Sequence, residues 1–316
     1  MPLPRVEYRR ERWDTHDGDF IDVDFALPEP ARTDAPVLAM FHGLEGDSQS
    51  HYARATMRWF ADRHWRAVVV HFRGCSGEPN RLARAYHSGD SDEGDWILRA
   101  LHGRWPAARL YGVGISLGGN MLAKWAGERG QDAAFVTAAA SIAAPLDLAS
   151  GGAALGRGFN MVYTRAFLAT LRRKALKKLN TFPAIARDEN YSARLRASRT
   201  LYDFDNEYTA PLHGFRDTDD YWDRASAKRW LHAIRIPYLL LNAINDPFVP
   251  AASLPTVAEV SSTVELEQPA GGGHVGFARS PWPGRSDFIP TRLQQFFSQH
   301  THPVSESGTF NATVTA

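Results

Sequence analysis

Residues 109–124 read RLYGVGISLGGNMLAK, and the change of character halfway along this stretch decides the architecture around it. An apolar run ends in Gly114-Ile115-Ser116-Leu117-Gly118, and a helix-forming segment follows. A serine between strand and helix sits on a sharp, strained turn. Small residues must flank it because the two elements crowd each other, and Gly114, Gly118 and Gly119 meet that need. The turn also aims the first amides of the helix at the space over Ser116, so the Leu117 N–H is placed to receive a developing oxyanion. Gly112-Val113-Gly114 followed by Gly118 also permits a loose dinucleotide-binding reading. Against it, no acidic residue closes the next strand-like run at 134–141, and the turn lies far from the first strand of the chain. A serine that merely caps the helix is the bland alternative.

Working outward, residues 6–13 and 20–27 alternate in polarity and read as two antiparallel strands joined at Asp17-Gly18. Residues 37–41 form a continuous apolar run suited to a strand buried on both faces, and it ends in His42-Gly43-Leu44-Glu45-Gly46. A glycine-rich loop after a buried strand lets the backbone approach a ligand. The Leu44 N–H is therefore the expected second oxyanion donor, with His42 and Gly43 beside the substrate; alternatively His42 and the glycines only shape a turn. Helical spacing over 51–64, a strand at 67–72, a helix over 89–103, the elbow strand and helix, and a strand at 134–140 follow in alternation. The polar, glycine-rich loop 73–80 falls on the same rim as 42–46, and Cys75 within it reads as a small packed thiol. Strand-helix repetition predicts an α/β fold with a mainly parallel, eight-stranded sheet and helices on both faces.

That regularity stops at Pro145. Residues 145–234 carry helical patterns and no buried strand, so they read as a cap inserted into a core made of 1–144 and 235–300. Within the cap, Tyr163, Phe167, Leu171, Ala175 and Leu179 recur every four residues, and Arg172, Arg173, Lys174, Lys177 and Lys178 occupy the other face. A cap helix with its charges solvated accounts for this pattern; docking on anionic lipid is the sharper reading. Phe159, Met161, Tyr163 and Phe167 are candidates to line an apolar acyl pocket, or else to form the cap's own core. The sheet resumes at 236–244, and one further strand at 264–268 leads into Gly271-Gly272-Gly273-His274. A closing helix runs over 287–300, and 301–316 reads as a loose tail.

Composition excludes several classes. A formal charge of +1 gives no global bias toward nucleic acid, and a single cysteine rules out an intramolecular disulfide framework or a cysteine-rich metal site. No HExxH, paired-cysteine or phosphate-loop pattern occurs, so no metal and no organic cofactor are expected. The N-terminal residues contain no apolar h-region and nothing later approaches the length of a membrane span, which favours a cytoplasmic protein.

Ser116, then Asp246 just past a late buried strand, then His274 in a glycine loop after the next strand, stand in the order of a Ser-Asp-His triad. The chemistry needs each of the three: Ser116 attacks, His274 takes and returns the proton, and Asp246 holds the imidazole tautomer. Asp147 is the competing acid, with helix capping as its other role. The segments FHGLEGDSQSHYA (41–53), HFRGCSGEPNRLARAYHSGDSDE (71–93), GISLGGNMLAKW (114–125), NAINDPFVP (242–250) and GGGHVGF (271–277) together resemble the YheT-like branch of the α/β-hydrolases. The resemblance spans nearly the whole chain except the tail and implies a Ser116-Asp246-His274 triad under a helical cap. The expected activity is cleavage of short- to medium-chain carboxylic esters, or lipids, through an acyl-enzyme. An acyltransferase using an alcohol acceptor and a lipid-surface binding protein on the same scaffold are the alternatives.

Overall fold

The structure is a computed structural model and describes residues 4–277 and 287–301; most of the expected tail at 301–316 lies outside that range. The strands are β1 (Tyr8–Asp14), β2 (Phe20–Ala26), β3 (Val37–Phe41), β4 (Arg66–Val70), β5 (Leu110–Ile115), β6 (Val136–Ile142), β7 (Tyr238–Leu241) and β8 (Val264–Glu267). They form one sheet in the order β1-β2-β4-β3-β5-β6-β7-β8. The first two strands pair antiparallel, β2 meets β4 antiparallel, and every other neighbour is parallel. The mainly parallel eight-stranded sheet read from the strand-helix alternation is therefore present. The strands run shorter than their apolar runs, as at β7, where Pro237 precedes the first paired residue.

Alternation along the central strands fills two cores. On one face Val37, Ala39, Phe41, Val68 and Val70 pack under α2 (Ser91–Arg104) and α3 (Leu117–Arg129). On the other, Leu38, Met40, Val69 and Val113 pack under α1 (His51–Ala61) and α10 (Phe288–Gln299). Covering both faces is what lets an all-apolar strand such as VLAMF remain in the middle of a sheet. At the antiparallel end, β2 is buried throughout despite its Asp22 and Asp24. The β1 register sets Arg12 opposite Asp22 and Arg10 opposite Asp24, and both arginines form bidentate pairs with them. A period-two polar face thus need not face water when the edge strand brings guanidinium groups over it.

Residues 148–225 contribute helices only: α4 (Leu148–Leu155), α5 (Met161–Thr181), α6 (Tyr191–Ala197), α7 (Leu201–Phe204), α8 (Ala210–Leu212) and α9 (Thr218–Ala225). Their own small core joins Leu168 and Ala175 of α5 to Tyr191, Leu195, Phe204 and Tyr208. No helix among the described residues is long and apolar enough to cross a membrane.

The inward stripe of α5 is the expected one at Leu171, Ala175 and Leu179, which pack with Leu168 and Leu176, and departs from it at Tyr163. Thr164, Leu168 and Ala175 are buried whereas Tyr163 is exposed, because the helix is rotated to bring basic side chains inward. Lys174 reaches Glu45, and Lys178 donates to the carbonyls of Leu82 and Arg84, with burial pushing its ammonium down to about 8. The expectation of one fully solvated basic face is thereby corrected: Arg173 and Lys177 are exposed, but Lys174 and Lys178 bind the core.

Helix α3 lies so close to the 3-10 turn Lys228–Ala233 that a Cβ on Gly127 would stand 2.3 Å from Trp230 O and 2.6 Å from Trp230 Cβ. Both neighbours belong to packed structure and cannot swing away. Gly127→Ala is expected to cost about 1–3 kcal/mol, read as a lower urea midpoint with an unchanged slope.

Candidate active site

Ser116 sits between β5 and α3 with φ 51° and ψ −116°, a left-handed backbone that a non-glycine residue adopts at a cost. Two backbone bonds hold it there: Ser116 N–H to Ile142 O at 2.8 Å, and Asn120 N–H to Ser116 O at 3.0 Å. Its Oγ lies 3.0 Å from His274 Nε2, and His274 Nδ1 lies 2.8 Å from Asp246 Oδ2. A carboxylate only accepts, so Nδ1 carries the imidazole proton and Nε2 is left to accept from the serine hydroxyl. The Asp246 side chain is fully buried, and its other oxygen takes the Phe248 N–H at 2.8 Å.

The glycine loop around His274 has a steric reason. A Cβ on Gly272 would meet the Phe277 ring at 2.5 Å and Ala243 Cβ at 2.8 Å, and Gly273 has φ +59°. Asn245 Oδ1 accepts the Gly273 N–H at 2.9 Å, tying the aspartate loop to the histidine loop. The Phe248 ring lies against the imidazole, 4.4 Å between centroids. Asp147, the competing acid, caps α4 by accepting from the Ser150 N–H and hydroxyl.

The loop after β3 comes close to the serine: a Cβ on Gly43 would be 3.3 Å from Ser116 Cβ. Its backbone is held by two tyrosines. Gly43 N–H donates to the Tyr52 hydroxyl at 2.9 Å and Glu45 N–H to the Tyr86 hydroxyl at 3.0 Å, while Tyr86 donates back to the Glu45 carboxylate at 2.9 Å. Glu45 itself has φ 56°, and Lys174 from the cap closes on its carboxylate at 2.8 Å. Leu44 is thus held between a fixed glycine and a fixed, strained glutamate. Leu117 is the first residue of α3, where a helix leaves its amides without intrahelical acceptors.

Gly43, Leu44, Ser116, Leu117 and His274 line one cavity of about 1010 Å³, whose remaining walls include Leu155, Phe167, Phe204 and Trp222 from the helical segment. Of the residues expected to line an acyl pocket, Phe167 does. His42, Phe159, Met161 and Tyr163 are not among its lining residues. Phe159 is 77% exposed, and Tyr163 packs on the far side of Phe248. His42 is fully buried behind the loop: its Nε2 accepts the Phe72 N–H at 3.1 Å, so its Nδ1–H donates to Gly43 O at 2.8 Å. It shapes the turn rather than facing the cavity.

Sequence reasoning missed Tyr52, Tyr86, Glu45, Lys174 and Phe248. Only Phe248 carried a local signal, its position two residues after Asp246; the other contacts join segments far apart in the chain. Cys75 is buried beside Lys174 Nζ at 3.5 Å, and burial pushes its thiol up to about 12. Among the described residues no group of three or more His, Cys, Asp or Glu side chains is arranged to hold a metal ion.

Residues 36–281 match the family described as the alpha/beta hydrolase fold. YheT of Escherichia coli (strain K12) is 38% identical over 282 residues, covering 87% of this chain and 82% of that protein. Phospholipase ABHD3 of Mus musculus is 28% identical over 312 residues, covering 96% of this chain and 75% of its own. Among solved structures, the Pyrococcus furiosus esterase Pf2001 superposes with a TM-score of 0.56 at 14% identity, covering 93% of each chain, a likeness of fold.

Burial lowers the His42 pKa from its ordinary 6.5 to about 3. The unfolded chain therefore takes up a proton that the folded protein refuses. Stability contributed by this group is complete above about 6.5 and declines as pH falls toward 3, by about 1.4 kcal/mol per pH unit. Urea midpoints measured between pH 7 and 4.5 are expected to fall less steeply in His42→Gln than in the wild type, by one proton's worth of slope.

Proposed function

The chain belongs to the alpha/beta hydrolase fold family, on its YheT-like branch, and from that premise we propose that it is a serine esterase acting through an acyl-enzyme. The observation that carries the reading is the hydrogen-bonded line Ser116–His274–Asp246 opening onto a large, partly apolar cavity. His274 Nε2 takes the hydroxyl proton as Ser116 Oγ attacks the ester carbonyl, and returns it to the leaving alcohol. Asp246 holds the tautomer and stabilises the imidazolium. Leu44 and Leu117 amides receive the oxyanion, one from the loop after β3 and the other from the start of α3. Water then repeats the sequence on the acyl-enzyme, with His274 as base.

The substrate class is a carboxylic ester with a short- or medium-length acyl chain, lipids included. At about 1010 Å³ the cavity is at the upper end of ligand pockets, enough for an acyl chain together with a bulky alcohol. Phe167, Leu155 and Phe248 supply apolar wall for the chain, and Arg73 and Asn80 add polar wall. The mouse relative is a phospholipase by name, which agrees with a glycerolipid ester.

With p-nitrophenyl esters from acetate to laurate, Ser116→Ala is expected to lose at least ~10⁴-fold in kcat and Asp246→Asn about as much. Asp147→Ala is expected to retain turnover while losing ~1 kcal/mol of stability with its helix cap. Equal activity of Ser116→Ala and wild type would overturn the proposal.

Lys174 and Glu45 act as positioning residues for the Leu44 amide, since they hold the strained turn that presents it. Lys174→Met is expected to lower kcat roughly tenfold with KM little changed, and to lower the urea midpoint because the buried Glu45 carboxylate loses its cation. A rise in KM alone would instead make Lys174 a ground-state binding group.

A further inference from the structure

The charge of this protein is segregated. Residues 157–199 hold eleven Arg or Lys against two acidic residues, while the whole chain nets +1. Part of that charge is paired internally: Lys174 with Glu45 and Arg194 with Asp188 and Glu207, while Arg187 lies 3.9 Å from Glu207 and Lys178 is turned inward onto main-chain carbonyls. Toward solvent stand Arg172, Arg173 and Lys177 of α5, the last two also at the wall of the cavity over Ser116, with Arg196 of α6 beside them. A shallow depression there is lined by Ala169, Arg172, Arg173, Leu176, Lys177 and Arg196 with Asn180, and no carboxylate borders it. Arg172 donates only to main-chain carbonyls, of Leu168, Arg196 and Ser198, which leaves its charge uncompensated. Arg173 and Lys177 have no carboxylate partner among the described residues.

The 3-10 turn Gly158–Asn160 and the first turn of α5 that follows it present exposed apolar side chains. Phe159, Val162 and Tyr163 are 77%, 53% and 43% exposed, the first two higher than any other exposed large hydrophobic residue among the described ones. They adjoin the active site. Asn160 Nδ2 donates to Pro247 O at 2.6 Å, next to Asp246, and an aromatic series leads inward from Phe159 to Tyr163 (6.3 Å between centroids), to Phe248 (4.9 Å) and to His274 (4.4 Å). The entry to α5 therefore shows water an apolar group that the Phe248 ring separates from His274, and the second half of the helix shows a cationic one.

We infer that this face of α5 docks on an anionic phospholipid surface, with Phe159, Val162 and Tyr163 entering the acyl boundary and Arg172, Arg173, Lys177 and Arg196 meeting the phosphates. An apolar end joined to a cationic end on one exposed helix matches the layering of a bilayer interface, apolar below and charged above. A nucleic-acid surface would match the cations but leave the aliphatic Val162 and the Phe159 ring without a partner. Docking stands on these observations alone; delivery of the ester along the aromatic series rests on the hydrolase reading.

The test uses the full chain carrying Ser116→Ala, so that binding is read independently of turnover. It is sedimented with phosphatidylcholine vesicles, with and without phosphatidylglycerol. Retention is expected on the anionic vesicles only and falls as salt rises. Replacing Arg173 and Lys177 by Ser lowers partitioning roughly thirtyfold. Replacing Phe159 and Val162 by Ser lowers it roughly tenfold or more. Both double variants are expected to keep the parent's circular dichroism and urea midpoint, since all four residues are exposed. Equal retention on both vesicle types overturns the inference, as does retention that neither pair of substitutions alters. Displacement from anionic vesicles by duplex DNA, with no effect of the Phe159 and Val162 changes, overturns it in favour of a nucleic-acid partner.

Discussion

The rest of the site depends on how closely helix α3 is pressed against the ends of β3 and β5. A Cβ on Gly118 would stand 2.4 Å from Phe41 O, and one on Gly114 would stand 2.3 Å from Gly118 O. No side chain other than hydrogen fits at either position without moving backbone. That proximity forces Ser116 into φ 51°, lifts its Oγ clear of the sheet, and brings the first turn of α3 beside the loop that follows β3. A left-handed non-glycine residue costs about 1–3 kcal/mol, and the backbone bonds from Ser116 and Asn120 offset it locally.

The same helix connects Ser116 to the helical segment 148–225. Asn120, one turn after Ser116 and fully buried, donates to Ser88 O and Ala225 O and accepts the Ala227 N–H, so it joins α3 both to the loop before α2 and to the end of α9. Tyr221 of α9 accepts the Ser88 N–H from the opposite side. Farther along, the Lys174–Glu45 pair connects the cap to the other wall of the catalytic cleft. The helical segment is thus joined both to the helix behind the serine and to the loop opposite it.

The strand-helix alternation, the elbow and the three loops bearing Ser116, Asp246 and His274 were readable because each leaves a local mark: an apolar run, a glycine cluster, a polar residue just past a strand. What could not be read is what those loops rest on. Tyr52 and Tyr86 hold the loop at Gly43 and Glu45 from 9 and 41 residues away, and no periodicity announces a tyrosine whose hydroxyl caps a distant amide. His42 misled for a related reason. Its place in a glycine loop suggests contact with substrate, yet both ring nitrogens are consumed by Phe72 and Gly43 main-chain groups. The rotation of α5 was hidden because lysine stems can lie on apolar surface while their ammonium groups reach carbonyls inside.

That rotation also bears on why a near-neutral protein has so basic a helix. An ammonium turned inward needs acceptors, and Lys174 and Lys178 find them in Glu45, Leu82 and Arg84, all on core loops that frame the cavity. A guanidinium left outside needs none, and Arg172 and Arg173 remain on the surface with Lys177. Position along the helix, rather than charge, therefore sorts five basic residues into those that attach the cap and those that face outward. Arg172 still ties α5 to the carbonyls at the end of α6, but attachment does not explain Arg173 and Lys177, whose removal would leave the inward contacts intact. The outward set shares a helix with exposed Val162 and Tyr163 at the opposite end, where Tyr163 leads through Phe248 to His274, so the orientation of this helix bears on the cleft at both ends.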